Sequence, residues 1–260
     1  MSTIRNRMTK LNGGTPISDG PFRNGSMYLT YTNEGMPIGA FWGYKTDGLI
    51  QTQEQLNAVK RADFQPNAEL GDVLFVDTNG DGKLDSSDRC MIGNPIPDII
   101  YGINMGMAWK GFDLNLQFGG TIGNQIFNAM RYYTYFPNDI TNKDRALMNY
   151  WTPNNTNTDI PRLTATDVND NDRFSDMYVE NGTYFRLRNA QLGYTLPASL
   201  TQRIKLQKVR FYVSGQNLFT ISSYSGMDPE VGQSSSLSRG IDYGIYPQNI
   251  SFTGGINVTF

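Results

Sequence analysis

The sequence predicts an all-β fold built from long antiparallel strands. Three observations carry that prediction: strict two-residue alternation in four segments, abundant glycine and aromatic residues, and connections that switch between short and long. The 260 residues include 27 Gly, 15 Tyr, 14 Phe and 3 Trp, with only 38% hydrophobic residues in total. Aromatic side chains suit a pleated, half-buried surface, and the shortage of long aliphatic runs argues against a helical core.

The alternation is clearest in the middle of the chain. Ile99, Tyr101, Ile103, Met105, Met107 and Trp109 alternate with mostly small or polar residues. The phase restarts at Phe112, Leu114, Leu116 and Phe118, so Lys110-Gly111 reads as a tight hairpin turn. Val209, Phe211 and Val213 repeat the pattern, and Ile250, Phe252, Gly254, Ile256, Val258 and Phe260 close the chain with it. A period of two means that one face is apolar and the other is not. In a soluble sandwich the apolar face is core, whereas in a transmembrane barrel it meets lipid. Strands of about a dozen residues exceed the usual globular length, and Trp109, Phe112 and Phe260 stand where interfacial aromatics belong.

Strands are expected at about 27–33, 36–45, 98–110, 111–122, 183–196, 207–219 and 249–260, with ends uncertain by two to four residues. The turns at 34–35 and 110–111 are short, whereas 46–97, 123–182 and 220–248 are long. Short periplasmic turns and long extracellular loops are the rule in bacterial barrels, and loops of this length are unusual in a compact soluble domain. The stretch 183–196 is the untidy one: Phe185 and Leu187 are apolar on one phase, Ala190, Leu192 and Tyr194 on the other. That switch suggests a bulge or an extramembrane end. Seven strands is an odd number, and single-chain bacterial barrels close with an even one, so either an eighth strand exists or the chain is the end of a larger barrel.

Charge and composition remove whole classes of function. Lys+Arg 22 against Asp+Glu 24 leaves a net charge of -2, no electrostatic footprint for a nucleic acid. With no histidine, Ser-His-Asp and Cys-His catalysis and His-ligated metals are excluded, and the lone Cys90 makes no disulfide. A non-enzyme is expected. No run of about 18 apolar residues is present, which excludes a transmembrane helix and leaves transmembrane strands open.

One motif carries chemistry. Asp77, Asn79, Asp81, Lys83, Asp85 and Asp88 fall at positions 1, 3, 5, 7, 9 and 12 of an EF-hand-type calcium loop, with Gly82 at position 6. Calcium takes six to eight hard oxygens; here Lys83 would contribute its carbonyl and the others their side chains. Asp88 stands where an EF-hand has a bidentate Glu, and the flanks are not helical. The expected role is structural. The competing reading is an acidic Asn-Gly/Asp-Gly turn. Elsewhere, Tyr132-Tyr-Thr-Tyr-Phe136 and Tyr243-Gly-Ile-Tyr246 place aromatics in loops, to pack the loop or to stack on sugar rings. Asp170 and Asp172 read as solvated turn residues.

Taken together, Val76-Asp-Thr-Asn-Gly-Asp-Gly-Lys-Leu-Asp85, Ile92-Gly-Asn-Pro-Ile-Pro97, Trp151-Thr-Pro153, Asp159-Ile-Pro-Arg-Leu163, Tyr178-Val-Glu-Asn-Gly-Thr-Tyr-Phe-Arg-Leu-Arg-Asn189, Gly215-Gln-Asn-Leu-Phe219 and Tyr224-Ser-Gly-Met-Asp-Pro-Glu230 resemble the SusC/RagA-type TonB-linked outer-membrane transporters of Bacteroidota. The match runs over residues 26–260, with 1–25 a poorly matched lead-in. The resemblance implies the C-terminal portion of a 22-stranded antiparallel transmembrane barrel with long extracellular loops. It also implies import of glycan or peptide fragments, a SusD-like lipoprotein lid, and energy from the TonB complex through N-terminal parts outside the match. The competing architecture is a secreted, calcium-stabilised β-sandwich that binds carbohydrate or acts as an adhesin.

Overall fold

The computed structural model describes residues 1–135, 142–232 and 235–260. Its largest sheet contains five long antiparallel strands: β1 (Ile99–Trp109), β2 (Phe112–Ile122), β3 (Tyr184–Thr195), β4 (Lys208–Ser222) and β5 (Ser251–Thr259). They lie side by side in chain order, and the short strand Ser2–Thr3 pairs with the start of β1. Trp109 faces Phe112 across a two-residue turn, with Lys110 at φ 46° and Gly111 at φ 87°. Positive φ at both positions is the type I′ geometry that matches strand twist. The Lys110 ammonium rests 4.9 Å from the centre of the Trp109 ring.

Register turns the alternation into two faces. Trp109, Phe112, Tyr194, Phe211 and Ile256 form one continuous cross-strand rung, and Met107, Leu114, Leu192, Val213 and Gly254 form the next on the same face. Between them on the opposite face runs Ala108, Asp113, Gly193, Tyr212 and Gly255, followed by Gly106, Asn115, Gln191, Ser214 and Thr253. The apolar face is bare: Met107 is 69% and Phe252 79% exposed. A β-sandwich would bury that face against a second sheet, so the sandwich reading is set aside. The phase switch in β3 has a local cause, because pairing with both neighbours shifts between Leu187 and Asn189. Arg188 is the inserted residue against β2, whereas on the other side β4 sets two residues, Asn217 and Leu218, opposite it, with Asn217 at the left-handed φ of 52°.

Two of the expected barrel strands belong elsewhere. Met27–Thr32 and Ala40–Gly43 are strands, but they join Ile17–Phe22 and Cys90–Gly93 in a separate four-stranded sheet. Their burial explains the misplacement: Leu29, Thr30, Ala40 and Phe41 are all buried, so these strands serve a packed core rather than a two-faced wall. The expected 36–45 strand also shortens, because Gly35 and Gly39 turn the chain at φ 84° and 64°. The main sheet therefore has five long strands and not seven.

All the long connections leave the same end of the main sheet and assemble a lobe with its own core. Phe22, Phe41, Phe127, Phe174, Tyr178 and Ile241 meet there, with Phe127 and Phe174 edge to face at 4.8 Å. Gln125–Asn128 pairs antiparallel with Val179–Asn181 and parallel with Ile241–Asp242, tying two loops together. A second cluster gathers Leu49, Phe64, Val73, Phe75 and Trp151. Gly71, at φ 86°, lies against the Trp151 ring, where a Cβ would come within 2.2 Å of it. The helix Gln53–Arg61 starts at a Thr52–Gln55 capping box. No helix among the described residues is long and apolar enough to cross a membrane.

Candidate functional site

The candidate site is the junction where the loops are fastened over the polar face of the sheet. Arg186, on β3 near the loop end, is 2% exposed. Its guanidinium donates to Asp228 at 2.6 Å, to Glu230 at 2.9 Å and to Thr220 Oγ1 at 2.8 Å. The bulge residue Arg188 adds a bond to Glu230 at 3.0 Å. Asp228 also accepts from the backbone N–H of Gln248 and of Glu230. Burial opposes ionisation of Asp228, but those N–H donors and Arg186 hold its carboxyl below the ordinary range. Tyr224 Oη donates to Asp242 at 2.6 Å, and Glu180 accepts from Ser225 and Asn128. The loop after β4 is thus fixed to β3 and to its neighbouring loop by a chain of charged hydrogen bonds.

Beside this latch lies a cleft of about 290 Å³ between the Ala129–Tyr135 helix and the loop after β4, lined by Met130, Arg131, Tyr135, Ser225, Met227 and Asp242. Arg131 ion-pairs with Asp159, and its guanidinium lies 5.0 Å from the Tyr135 ring centre. The aromatic loop residues divide. Tyr132 is buried in the lobe core, Tyr133 is partly exposed, Tyr243 and Tyr246 are exposed, and Phe136 lies outside the described residues. Asp172 binds Arg23 at 2.9 Å and Asp170 binds Arg173 at 3.1 Å, so this acid pair is committed to structural ion pairs. Cys90 is half-buried, and burial raises its thiol.

The six residues of the calcium-type loop fall in one turn whose oxygens point at the backbone. Asp77 accepts from Gly80 N–H at 2.6 Å and Gly82 N–H at 2.8 Å, Asn79 from Asp81 N–H, and Asp81 from Lys83 N–H. Asp85 accepts from Ser87 N–H, and buried Asp88 closes the loop by accepting from Thr78 N–H and Asp85 N–H. The N–H of Gly82 and then of Gly80 hold the Asp77 carboxyl below the ordinary range, and Ser87 does the same for Asp85. An oxygen that accepts one N–H keeps a lone pair, so the donor set is of the kind calcium uses. It does not converge, however: among the described residues no three acidic, cysteine or histidine side chains gather as a metal cluster.

Sequence reasoning missed a second device. Arg162 forms a 2.6 Å ion pair with fully buried Asp72, which also accepts from Asn171 and from Glu69 N–H. Around it, the amides of Gln65, Asn169 and Asn171 satisfy the backbone of Val73 and Phe75. The signals were an arginine behind Ile160-Pro161 and acids beside Gly71 and Pro229, each visible only as half of a pair.

No family model matches the chain. Among curated proteins, TonB-dependent receptor P3 of Formosa agariphila is 37% identical over 271 residues, covering all of this chain and 26% of the relative. TonB-dependent receptor SusC of Bacteroides thetaiotaomicron is 29% identical, over 76% of this chain and 18% of its own length. The RagAB peptide importer in its open-open state superposes with a TM-score of 0.70 at 25% identity, over 98% of this chain and 25% of that one. The chain thus spans about a quarter of the length of the relatives it matches best covered. Because the first match takes in the whole chain, residues 1–25 share in it, and Phe22 supplies the lobe core. The chain belongs to the SusC/RagA family of TonB-dependent receptors, of which it is a segment.

Proposed function

We propose that this segment is the C-terminal part of an outer-membrane transporter barrel, 22-stranded when complete, through which TonB-driven cycles import glycan or peptide fragments beneath a SusD-like lipoprotein. The observation that supports it most is the sheet itself. Apolar rungs stand exposed on one face and Asn, Gln, Ser and Thr line the other, as lipid outside and water inside require. Among the described residues β5 pairs only with β4, and β1 meets only Ser2–Thr3 on its far side, so both edges have backbone groups for further strands. Unpaired edges are costly in lipid, and closure with the rest of a barrel removes them. The lobe then faces outward, with Tyr243, Tyr246 and Met227 exposed beside the cleft for contact with cargo.

Fractionating native cells and probing with an antibody to residues 220–248 tests this. The expected result is a heat-modifiable outer-membrane band at about four times the 29.2 kDa of this chain. A soluble band at 29.2 kDa would overturn it.

The same reading includes a structural calcium ion on Asp77, Asn79, Asp81, Lys83, Asp85 and Asp88, supported by their spacing around Gly82. Binding would order the 71–97 connection by mass action. In the whole receptor, calcium is expected to protect 71–97 from proteolysis, and Asp81→Ala to abolish the protection. Equal cleavage with calcium and with chelator would remove the ion from the account.

A further inference from the structure

Two features at the turn end of the sheet are not used by transport. The first is a groove in the apolar face. Ala190, Gly215 and Gly254 leave a trough of about 370 Å³ walled by Leu114, Val213 and Phe252. It continues, through shared Leu192, Val213 and Gly254, into a second trough of about 460 Å³ bordered by Phe112, Phe211 and Ile256. From Gly215 to Phe211 along β4 the groove runs roughly 14 Å, at 3.4 Å per residue. With barrel strands tilted about 35–45°, that length reaches about 10–11 Å along the membrane normal, most of one leaflet of the ~30 Å hydrocarbon layer.

The second feature is charge. The turns at that end carry Lys110, Arg203 and Lys205, all exposed, whereas Lys208 shares the polar face with Arg210 and Tyr212 and helps to lower the Asp113 carboxyl. Neither 108–112 nor 195–212 contains an Asp or Glu, and the nearest acid, Asp113, is held by Arg210 at 2.8 Å. None of these three cations forms an ion pair among the described residues. An apolar trough that spans most of a leaflet thus runs toward a basic rim of Lys110, Arg203 and Lys205.

We infer that the turn end of this sheet is a seat for one anionic phospholipid of the inner leaflet, with an acyl chain in the Gly215–Gly254 groove and its headgroup phosphate on the basic rim. The inference rests on the membrane reading above. Charge complementarity selects the occupant, because the ammonium of a zwitterionic headgroup is repelled by three unpaired cations and offsets what its phosphate gains, and a second copy of this face would bring the same cations. Gly254 offers a clean probe: a Cβ there meets only the Tyr212 carbonyl, at 3.8 Å, so a larger side chain fills the groove without displacing backbone.

The test uses the whole receptor extracted from outer membranes, with native mass spectrometry after exchange into phosphatidylglycerol or phosphatidylethanolamine. The outer-membrane band checks the membrane reading first, so failure there is separable from failure of the lipid seat. Wild type is expected to retain one phosphatidylglycerol and to lose phosphatidylethanolamine. Arg203→Ser and Lys205→Ser should each weaken retention about fivefold, and Gly254→Leu should abolish it while the heat-modifiable band persists. Equal retention of both lipids, retention unchanged in Gly254→Leu, or a receptor dimer that forms through this face in place of lipid would each overturn the inference.

Discussion

The sheet and the lobe obey opposite rules within one chain. In the sheet, Met107, Trp109, Val213 and Phe252 stand exposed while Asn115, Gln191 and Ser214 face inward. In the lobe, Phe41, Phe127 and Tyr178 are buried, and polar side chains buried with them, such as Asp72, Asn171 and Asp228, are held by hydrogen bonds or ion pairs. The same hydrophobic effect accounts for both if the two regions meet different solvents. An alternating strand alone is therefore silent about what lies beyond its apolar face, and the missing covering layer supplies the answer.

The largest contrast comes from truncating one apolar residue in each region. Phe127→Ala removes a fully buried ring that touches Phe22, Phe41, Phe174 and Tyr178, and should cost about 3–5 kcal/mol of lobe stability. Met107→Ala removes an exposed side chain and should change lobe stability by less than about 0.5 kcal/mol. Urea-dependent proteolysis of the whole receptor reads both, and equal shifts would erase the distinction between the regions.

The fastening between the regions comes next. Arg186→Ala leaves Asp228 buried without its cation, a change that costs about 3 kcal/mol or more where both partners are buried. Glu230 is partly exposed and rehydrates at little cost. The loop after β4 should then become the first cleavage site in limited proteolysis, with the sheet unchanged. Arg186→Lys should recover only part of the protection, since an ammonium cannot reach Asp228, Glu230 and Thr220 together.

How far each region was legible follows from the range of its contacts. β1, β2 and β5 announced themselves because their two-residue period is local, and even the bulge at Arg188 showed as a change of phase. Met27–Thr32 was legible as a strand but not as part of the lobe, since its neighbours include Phe22 on one side and Phe41 from across a turn, with Phe127 and Phe174 far along the chain. A core built from single apolar residues in separate loops leaves no periodic trace. The latch was half legible: two arginines in an otherwise uncharged strand ask for acids, but only folding identifies Asp228 and Glu230 as the ones 42 to 44 residues away. The calcium-type spacing was fully legible, whereas the turn of its oxygens onto the backbone was not.

The membrane assignment of the sheet is sharpened by neighbouring residues on one strand. Met105→Arg places a cation on the apolar face near the middle of β1 and should cost about 2–4 kcal/mol in the bilayer, seen as loss of the heat-modifiable band. Asn104→Arg, one residue away on the polar face opposite Gln117, should leave the band intact. Equal loss in both would mean that the two faces meet the same solvent.

The smallest effect is confined to the lobe and depends on pH. Backbone N–H groups of Gly82 and Gly80 depress the Asp77 carboxyl below its ordinary value, and Ser87 depresses Asp85. A depressed acid contributes stability above its unfolded pKa and loses it as pH falls through the folded one. The 77–88 loop should therefore be indifferent to pH from about 7 down to the ordinary carboxylate value near 3.8, and loosen only below it. Peptic cleavage within 71–97, followed on the whole receptor in chelator so that no calcium contributes, reads this directly. Asp77→Asn should flatten the acid response, because an amide oxygen still accepts an N–H bond but carries no charge to lose. The apolar rungs of the sheet contain nothing that titrates in this range, so acid-induced cleavage that begins in β1 or β4 would assign the sensitivity to the wrong region.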